Sequence, residues 1–144
     1  MDRFNLGVHT RKIRTSSAEA QRWFDLGLNW CFGFNQEEGV ECFRKALEFD
    51  PDCVMVHWGI AYGSGPFYNL AWRDYGKAEA DRFTKVAFEH LQVALRLSAG
   101  AEDPVEVRGV ETHLIRQALR VQPPAFTEAG EKGILRERVN IGPF

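Results

Sequence analysis

Apolar residues recur along most of this chain at the spacing of one face of an α-helix, and short polar or glycine-containing breaks separate the runs. Residues 36–49 show the pattern most simply, because Val40 and Phe43 lie on one apolar stripe and charged residues fill most of the other positions. Residues 17–32 and 51–63 are apolar around most of the helix circumference, so we expect both helices to be packed on several sides.

Two further helices are predicted after a long connection. Residues 76–98 and 104–121 keep helical spacing, and two consecutive prolines end the second of these runs. The chain therefore divides into an irregular lead-in over residues 1–15, a helical domain over 16–122 and a weakly ordered tail over 123–144. The predicted fold class is all-α, with about five helices.

Residues with strong capping preferences stand at the predicted helix starts. Ser16 and Glu19 have the spacing of a capping box, and Asn35 precedes the second helix. Asp50-Pro51 predicts the start of the third helix, because aspartate caps well and proline fits the first helical position.

Charge and composition argue against several classes of function. The chain has 18 basic and 20 acidic residues, a net charge of −2, and no clustered basic face for nucleic acid or an anionic membrane. It also has no apolar run long enough to span a bilayer. Three cysteines without a secretory signal indicate free thiols in a reducing compartment, so we expect a cytoplasmic protein.

Motifs for catalysis and metal binding are missing from the sequence. The four histidines and three cysteines form no His-x-x-His, His-Glu-x-x-His or Cys-x-x-Cys spacing, and there is no nucleophile or phosphate-binding motif. The sequence therefore predicts no catalytic residue, no metal and no cofactor. His57 stands beside Trp58 on an otherwise apolar helix, where a structural histidine is the simpler interpretation and a ligand-binding one stays open.

Residues 18–51 carry an eight-position pattern of aromatic, small and proline residues. The positions are Trp23, Leu26, Gly27, Trp30, Gly39, Phe43, Ala46 and Pro51. In type and spacing they resemble the tetratricopeptide repeat, a helical hairpin of about 34 residues. Residues 24–69 are also similar to the N-terminal part of larger, uncharacterised proteins with this repeat, so we expect this chain to be an N-terminal portion or a shortened form of one.

The resemblance implies a right-handed solenoid of antiparallel helical hairpins that binds a peptide or protein partner. Gly27 and Gly39 would let the two helices of the hairpin approach closely, with aromatic side chains filling the seam. In this family the first helix of each hairpin lines an inner groove. The resemblance therefore makes Arg22, Asn29 and His57 candidate groove residues.

Two other hypotheses follow from the same sequence. The first is a small-molecule or metal-binding protein, or an enzyme, with its site between the first and third helices and the aromatic, glycine-rich loop over residues 63–76. Its residues would be His57, Trp58, Tyr68, Asn69 and Trp72. The second is a homo-oligomer, because a solenoid leaves the apolar face of its last helix open.

Overall fold

The structure, a computed structural model, describes residues 5–65 and 74–98. These residues contain four α-helices and no β-strand: α1 (Ala18–Phe32), α2 (Gln36–Leu47), α3 (Val54–Gly63) and α4 (Lys77–Ser98). The all-α prediction is therefore confirmed for this part of the chain. None of these four helices is both long and apolar enough to cross a membrane.

All described residues belong to one compact unit, Met1–Leu114. The other unit of the chain, Ile115–Phe144, lies outside the described residues, as do the predicted helix over 104–121 and the predicted tail over 123–144.

Side-chain caps begin the first two helices. Ser17 accepts a hydrogen bond from the backbone N–H three residues on at 3.2 Å, so the capping box predicted at Ser16 and Glu19 is wrong by one residue. Asn35 accepts from the Glu38 N–H at 3.3 Å, which confirms Asn35 as the cap of α2.

The start of α3 differs from the prediction. The helix begins at Val54 rather than at Pro51, and Cys53 occupies the cap position without a side-chain hydrogen bond. Asp50 does not cap α3, since it lies three residues before the cap position, and its carboxylate accepts a hydrogen bond from the hydroxyl of Thr15. The Asp50 side chain, which the local pattern assigned to the start of α3, is therefore bonded to a residue that is distant in sequence.

Each helix packs against the next one in sequence, and Phe43 of α2 lies at the centre of the first three. A Cβ atom on Gly27 of α1 would lie 2.4 Å from Phe43 Cε1, and one on Gly59 of α3 would lie 3.0 Å from Phe43 Cδ1. The Phe24 ring contacts the Phe43 ring at a centroid distance of 5.5 Å. Glycine at these two positions lets three helices share one aromatic side chain.

Gly39 and Gly63 mark two more close contacts between helices. A Cβ atom on Gly39 of α2 would meet the sulfur of Cys31 on α1 at 2.5 Å. One on Gly63 of α3 would meet Cγ2 of Val40 on α2 at 2.7 Å. The helix α2 is therefore held closely on both sides.

The buried side chains form one larger and one smaller cluster. The larger joins α1, α2 and α3 and includes Ile13 from the N-terminal segment. The smaller joins α3 to α4 and consists of Ala61, Ala87 and Leu91. Val86 of α4 also packs against the larger cluster, so α4 contacts both.

Candidate functional site

One face of α1 carries three polar side chains spaced one turn apart, Gln21, Asp25 and Asn29, which we call the polar ladder. The chain's own residues 9–15, which we call the N-terminal strap, run antiparallel to α1 across this ladder. The strap therefore covers the face that contains one of the predicted groove residues, Asn29.

The side-chain amide of Gln21 forms two hydrogen bonds with the main chain of the strap. Its Oε1 accepts from the Ile13 N–H at 3.0 Å, and its Nε2 donates to the Arg11 carbonyl at 2.9 Å. These two backbone groups flank Lys12 and are the pair that a neighbouring β-strand would bind. Gln21 thus binds the strap as a neighbouring strand would. Because both bonds are to backbone groups, they do not depend on the side chains of the strap.

Asp25 and Asn29 extend the contact toward the end of α1. The Asp25 carboxylate accepts from the Arg11 N–H at 2.9 Å and from the Thr10 hydroxyl at 2.7 Å. The Asn29 Nδ2 donates to the His9 carbonyl at 2.9 Å. The strap is therefore bound mainly through backbone groups, with one side-chain hydroxyl recognised as well.

The spacing of the ladder explains why an extended chain fits it. Four residues advance about 6 Å along a helix axis, and two residues of an extended chain advance about 6.6 Å. The step from Asn29 to Asp25 on the helix therefore matches the step from His9 to Arg11 on the strap. Polar side chains at every fourth helical position can bind every second residue of an extended segment.

Further contacts fix the C-terminal end of the strap. Ile13 is 4% exposed and packs in the larger core cluster. The Thr15 hydroxyl donates to Asp50 in the α2–α3 turn, and the Cys53 sulfur lies 3.7 Å from the Arg14 carbonyl. The strap is therefore tied to the α2–α3 turn as well as to α1.

A second polar site joins α3 to α4. His57 is buried, its Nδ1 lies 2.9 Å from Nδ1 of His90, and its Nε2 lies 2.9 Å from the Pro51 carbonyl. A carbonyl oxygen only accepts, so in neutral His57 the proton is on Nε2 and Nδ1 is the acceptor. The donor across the helix contact is then the Nδ1–H of His90, and the two bonds fix the tautomers of both rings.

The surroundings of His90 favour its neutral form. Burial lowers the pKa of His90 from 6.5 to about 4, helped by His57 and Arg44 and opposed by Glu89. The nitrogen separation of 2.9 Å is that of a hydrogen bond, whereas tetrahedral zinc would hold two imidazole nitrogens about 3.3 Å apart. Residues 5–65 and 74–98 hold no group of three or more metal-ligating side chains.

The three predicted groove residues contact different partners. Arg22 pairs with Glu19 at 3.3 Å, and its guanidinium lies 4.9 Å from the centroid of the Trp23 ring. Asn29 binds the strap and His57 binds His90. Of the three, only Asn29 lies on the polar ladder.

The predicted small-molecule site is described only in part. His57 contacts α4, and Trp58 stacks on Tyr62 of the same helix with centroids 5.2 Å apart. The remaining predicted members lie outside the described residues; they are Tyr68, Asn69 and Trp72.

The eight positions of the repeat pattern differ in burial. Four are buried at the contacts of α2: Gly27, Gly39, Phe43 and Ala46. Three are half-buried on α1: Trp23, Leu26 and Trp30. Pro51 is exposed, and its carbonyl accepts the hydrogen bond of His57.

Several residues of these two sites were not singled out from the sequence. Gln21 and Asp25 did carry a signal, because polar residues at every fourth position of an otherwise apolar helix mark a face that needs a polar partner. His90 carried none, since it lies on a charged stretch of α4 far from His57 in sequence.

Comparison of the chain with protein-family models, with curated proteins and with solved structures gives no match.

Proposed function

We propose that this chain is a non-catalytic helical-repeat module that binds an extended segment of a protein partner on the polar ladder of α1. The contacts between the N-terminal strap and α1 are the observation that supports this proposal. They show that Gln21, Asp25 and Asn29 hold the main chain of an extended segment in register.

The contacts of the strap also indicate what such a partner segment would contain. The bonds to backbone groups accept any sequence, whereas the Asp25–Thr10 bond and the burial of Ile13 depend on side chains. A partner would therefore present a hydroxyl residue and, three residues later, a branched apolar residue that enters the core.

The repeat resemblance supports the same function. Consecutive helices pack together, and glycines lie at their closest contacts, as a solenoid of helical hairpins requires. In that arrangement α1 and α3 would be the first helices of consecutive hairpins and would line one groove. The proposal also includes the solenoid arrangement, a fifth helix over residues 104–121 and a cytoplasmic location.

Adding the strap as a separate peptide tests whether the ladder is a binding site. A fluorescent peptide of residues 7–16 is titrated into the wild-type chain and into Ile13→Glu, in which a buried charge releases the tethered strap. We expect the peptide to bind the wild-type chain at least about tenfold more weakly, because the tethered strap competes at an effective concentration of about 1 mM.

Two neighbouring positions on α1 supply matched controls. Adding Gln21→Ala to Ile13→Glu removes two main-chain bonds and should weaken peptide binding by about tenfold. Adding Arg22→Ala should leave binding unchanged, since Arg22 pairs with Glu19. The proposal fails if wild type and Ile13→Glu bind equally, or if Gln21→Ala has no effect.

A further inference from the structure

The hydrogen bond between His57 and His90 joins α3 to α4 beside a small apolar cluster. The buried members of that cluster are Ala61, Ala87 and Leu91, and Val86 of α4 packs against the larger core cluster. The histidine pair adds a polar contact to this apolar attachment of α4.

The closed contact accommodates the His90 imidazole best while that ring is neutral. His57 donates from Nε2 to the Pro51 carbonyl and accepts at Nδ1 from His90, so it has no unused ring nitrogen. A proton taken up by His90 would place a positive charge in a half-buried contact beside His57 and Arg44.

The charged groups around His90 come from each of the helices packed near it. Arg44 of α2 adds positive charge, and His57 faces the ring from α3. On α4 itself Glu89, which pairs with Lys85 at 3.9 Å, favours protonation but is the last of these causes in size. The balance of these groups opposes a positive charge in the closed contact.

We propose that His57 and His90 form a proton-operated latch that holds α4 against α3 while the pair is neutral and releases α4 in mild acid. Release lets the His90 imidazole reach water, where its pKa returns to the ordinary value of 6.5 and it takes up a proton in mild acid. The opening equilibrium constant should therefore rise by up to about tenfold per pH unit.

Hydrogen–deuterium exchange on the full chain tests the latch. Protection of backbone amides in α4 and in α2 is compared between about pH 7.5 and about pH 5, after correction for the intrinsic exchange rate. We expect α4 to lose at least about tenfold of its protection relative to α2, since α2 is held by the larger core cluster.

Three variants separate the latch from a general acid effect. His57→Leu/His90→Leu cannot titrate, so its α4 protection should not change with pH. His90→Gln can still donate to His57 but takes up no proton, so α4 should stay protected at neutral pH and lose most of its response to pH. His9→Gln, on the strap, should respond as wild type does.

His90→Gln keeps the test decisive even if the double leucine variant loses α4 at neutral pH. The proposal is overturned if α4 protection in wild type does not change with pH, or if α2 loses protection in step with α4. A His90→Gln response as steep as that of wild type would overturn it as well.

Discussion

Gly27 and Phe43 are in such close contact that the side chain at position 27 decides whether α1 and α2 can pack as they do. The Phe43 ring is fully buried, with Gly59 on its other side, so it has little room to move away. At this scale, the stability of the hairpin depends on the absence of a single methyl group.

Gly27→Ala should lower the free energy of unfolding by about 1–2 kcal/mol, because an overpacking cost of about 2–3 kcal/mol outweighs the gain of about 1 kcal/mol in helix propensity. Urea denaturation of the variant and the wild-type chain measures the difference. Gly76→Ala is the control, since a Cβ atom there has no neighbour within 4 Å, and it should change stability by less than about 0.5 kcal/mol. If Gly27→Ala had the same free energy of unfolding as the wild-type chain, the Phe43 ring would have to be able to shift.

Phe34 has a backbone conformation that favours glycine, with φ at 64°, while its side chain is 64% exposed. We expect Phe34→Gly to raise the free energy of unfolding by about 0.5–1 kcal/mol, because the strain of a Cβ atom is removed. Phe34→Val should lower it by about 1 kcal/mol, since a β-branched residue fits this conformation poorly. In thermal melts, the melting temperature of Phe34→Gly should be higher than that of the wild-type chain and that of Phe34→Val should be lower. A lower value for Phe34→Gly than for Phe34→Val would contradict this explanation.

Among the elements, the strap behaves as part of the helical core although it is not itself a helix. Ile13 enters the core, the polar ladder holds the backbone, and Thr15 reaches the α2–α3 turn through Asp50. The start of α3 is affected in turn, because the residue expected to cap it is bonded to the strap.

A double-mutant cycle on Thr15→Val and Asp50→Ala distinguishes this contact from a helix cap. If the two side chains bond each other, the combined loss of stability should be smaller than the sum of the single losses by about 1 kcal/mol. If Asp50 capped α3, the losses would add. Thr15→Val with Asn35→Ala is the control pair, and we expect it to be additive because Asn35 caps α2 elsewhere.

For the molecule as a whole, the buried thiols contribute to the dependence of stability on alkaline pH, and burial raises the pKa of Tyr62 in the same direction. Burial raises the pKa of Cys31 to about 12 and, helped by Glu38 and Glu41, that of Cys42 to about 11. The unfolded chain releases these protons near pH 9.0, so the folded state loses stability as pH rises from about 9 toward 12.

Thiol labelling at pH 8 should therefore be slow in the folded protein and complete in denaturant, since Cys31, Cys42 and Cys53 are all buried. Denaturation at about pH 8 and about pH 10 should show the lower stability at the higher pH. Cys31→Ala/Cys42→Ala should reduce this difference. Labelling of the native protein at the rate of a free thiol would contradict the burial of these side chains.

At acid pH, His90 makes stability change with pH in the opposite direction. Its pKa is lower in the folded protein than in the unfolded chain, so the unfolded state binds more protons below pH 6.5. Stability should fall as pH decreases from about 6.5 toward 4 and should be greatest between these acid and alkaline losses. Chemical denaturation across this range, with His90→Gln showing a smaller acid loss, checks the sign.

Local pattern was enough to predict the four described helices to within a few residues, because each has its own apolar periodicity and, for α2, its own cap. It failed at Asp50 and Pro51, where a local capping rule competed with a bond to Thr15. It also failed at the start of α1, where the spacing to Glu19 favoured Ser16 as the cap although the adjacent Ser17 is the cap.

Spacing within single elements was enough to predict the helical class, and with the repeat resemblance it also predicted the close contacts at Gly27 and Gly39 and an aromatic residue between the helices. The contacts of Gln21, Asp25 and Asn29 with the strap, and that of His57 with His90, became visible only in the folded chain. Those contacts join residues distant along the chain, and a hydrogen bond depends on the relative position of two elements to within a fraction of an ångström. No periodicity within one element encodes that position.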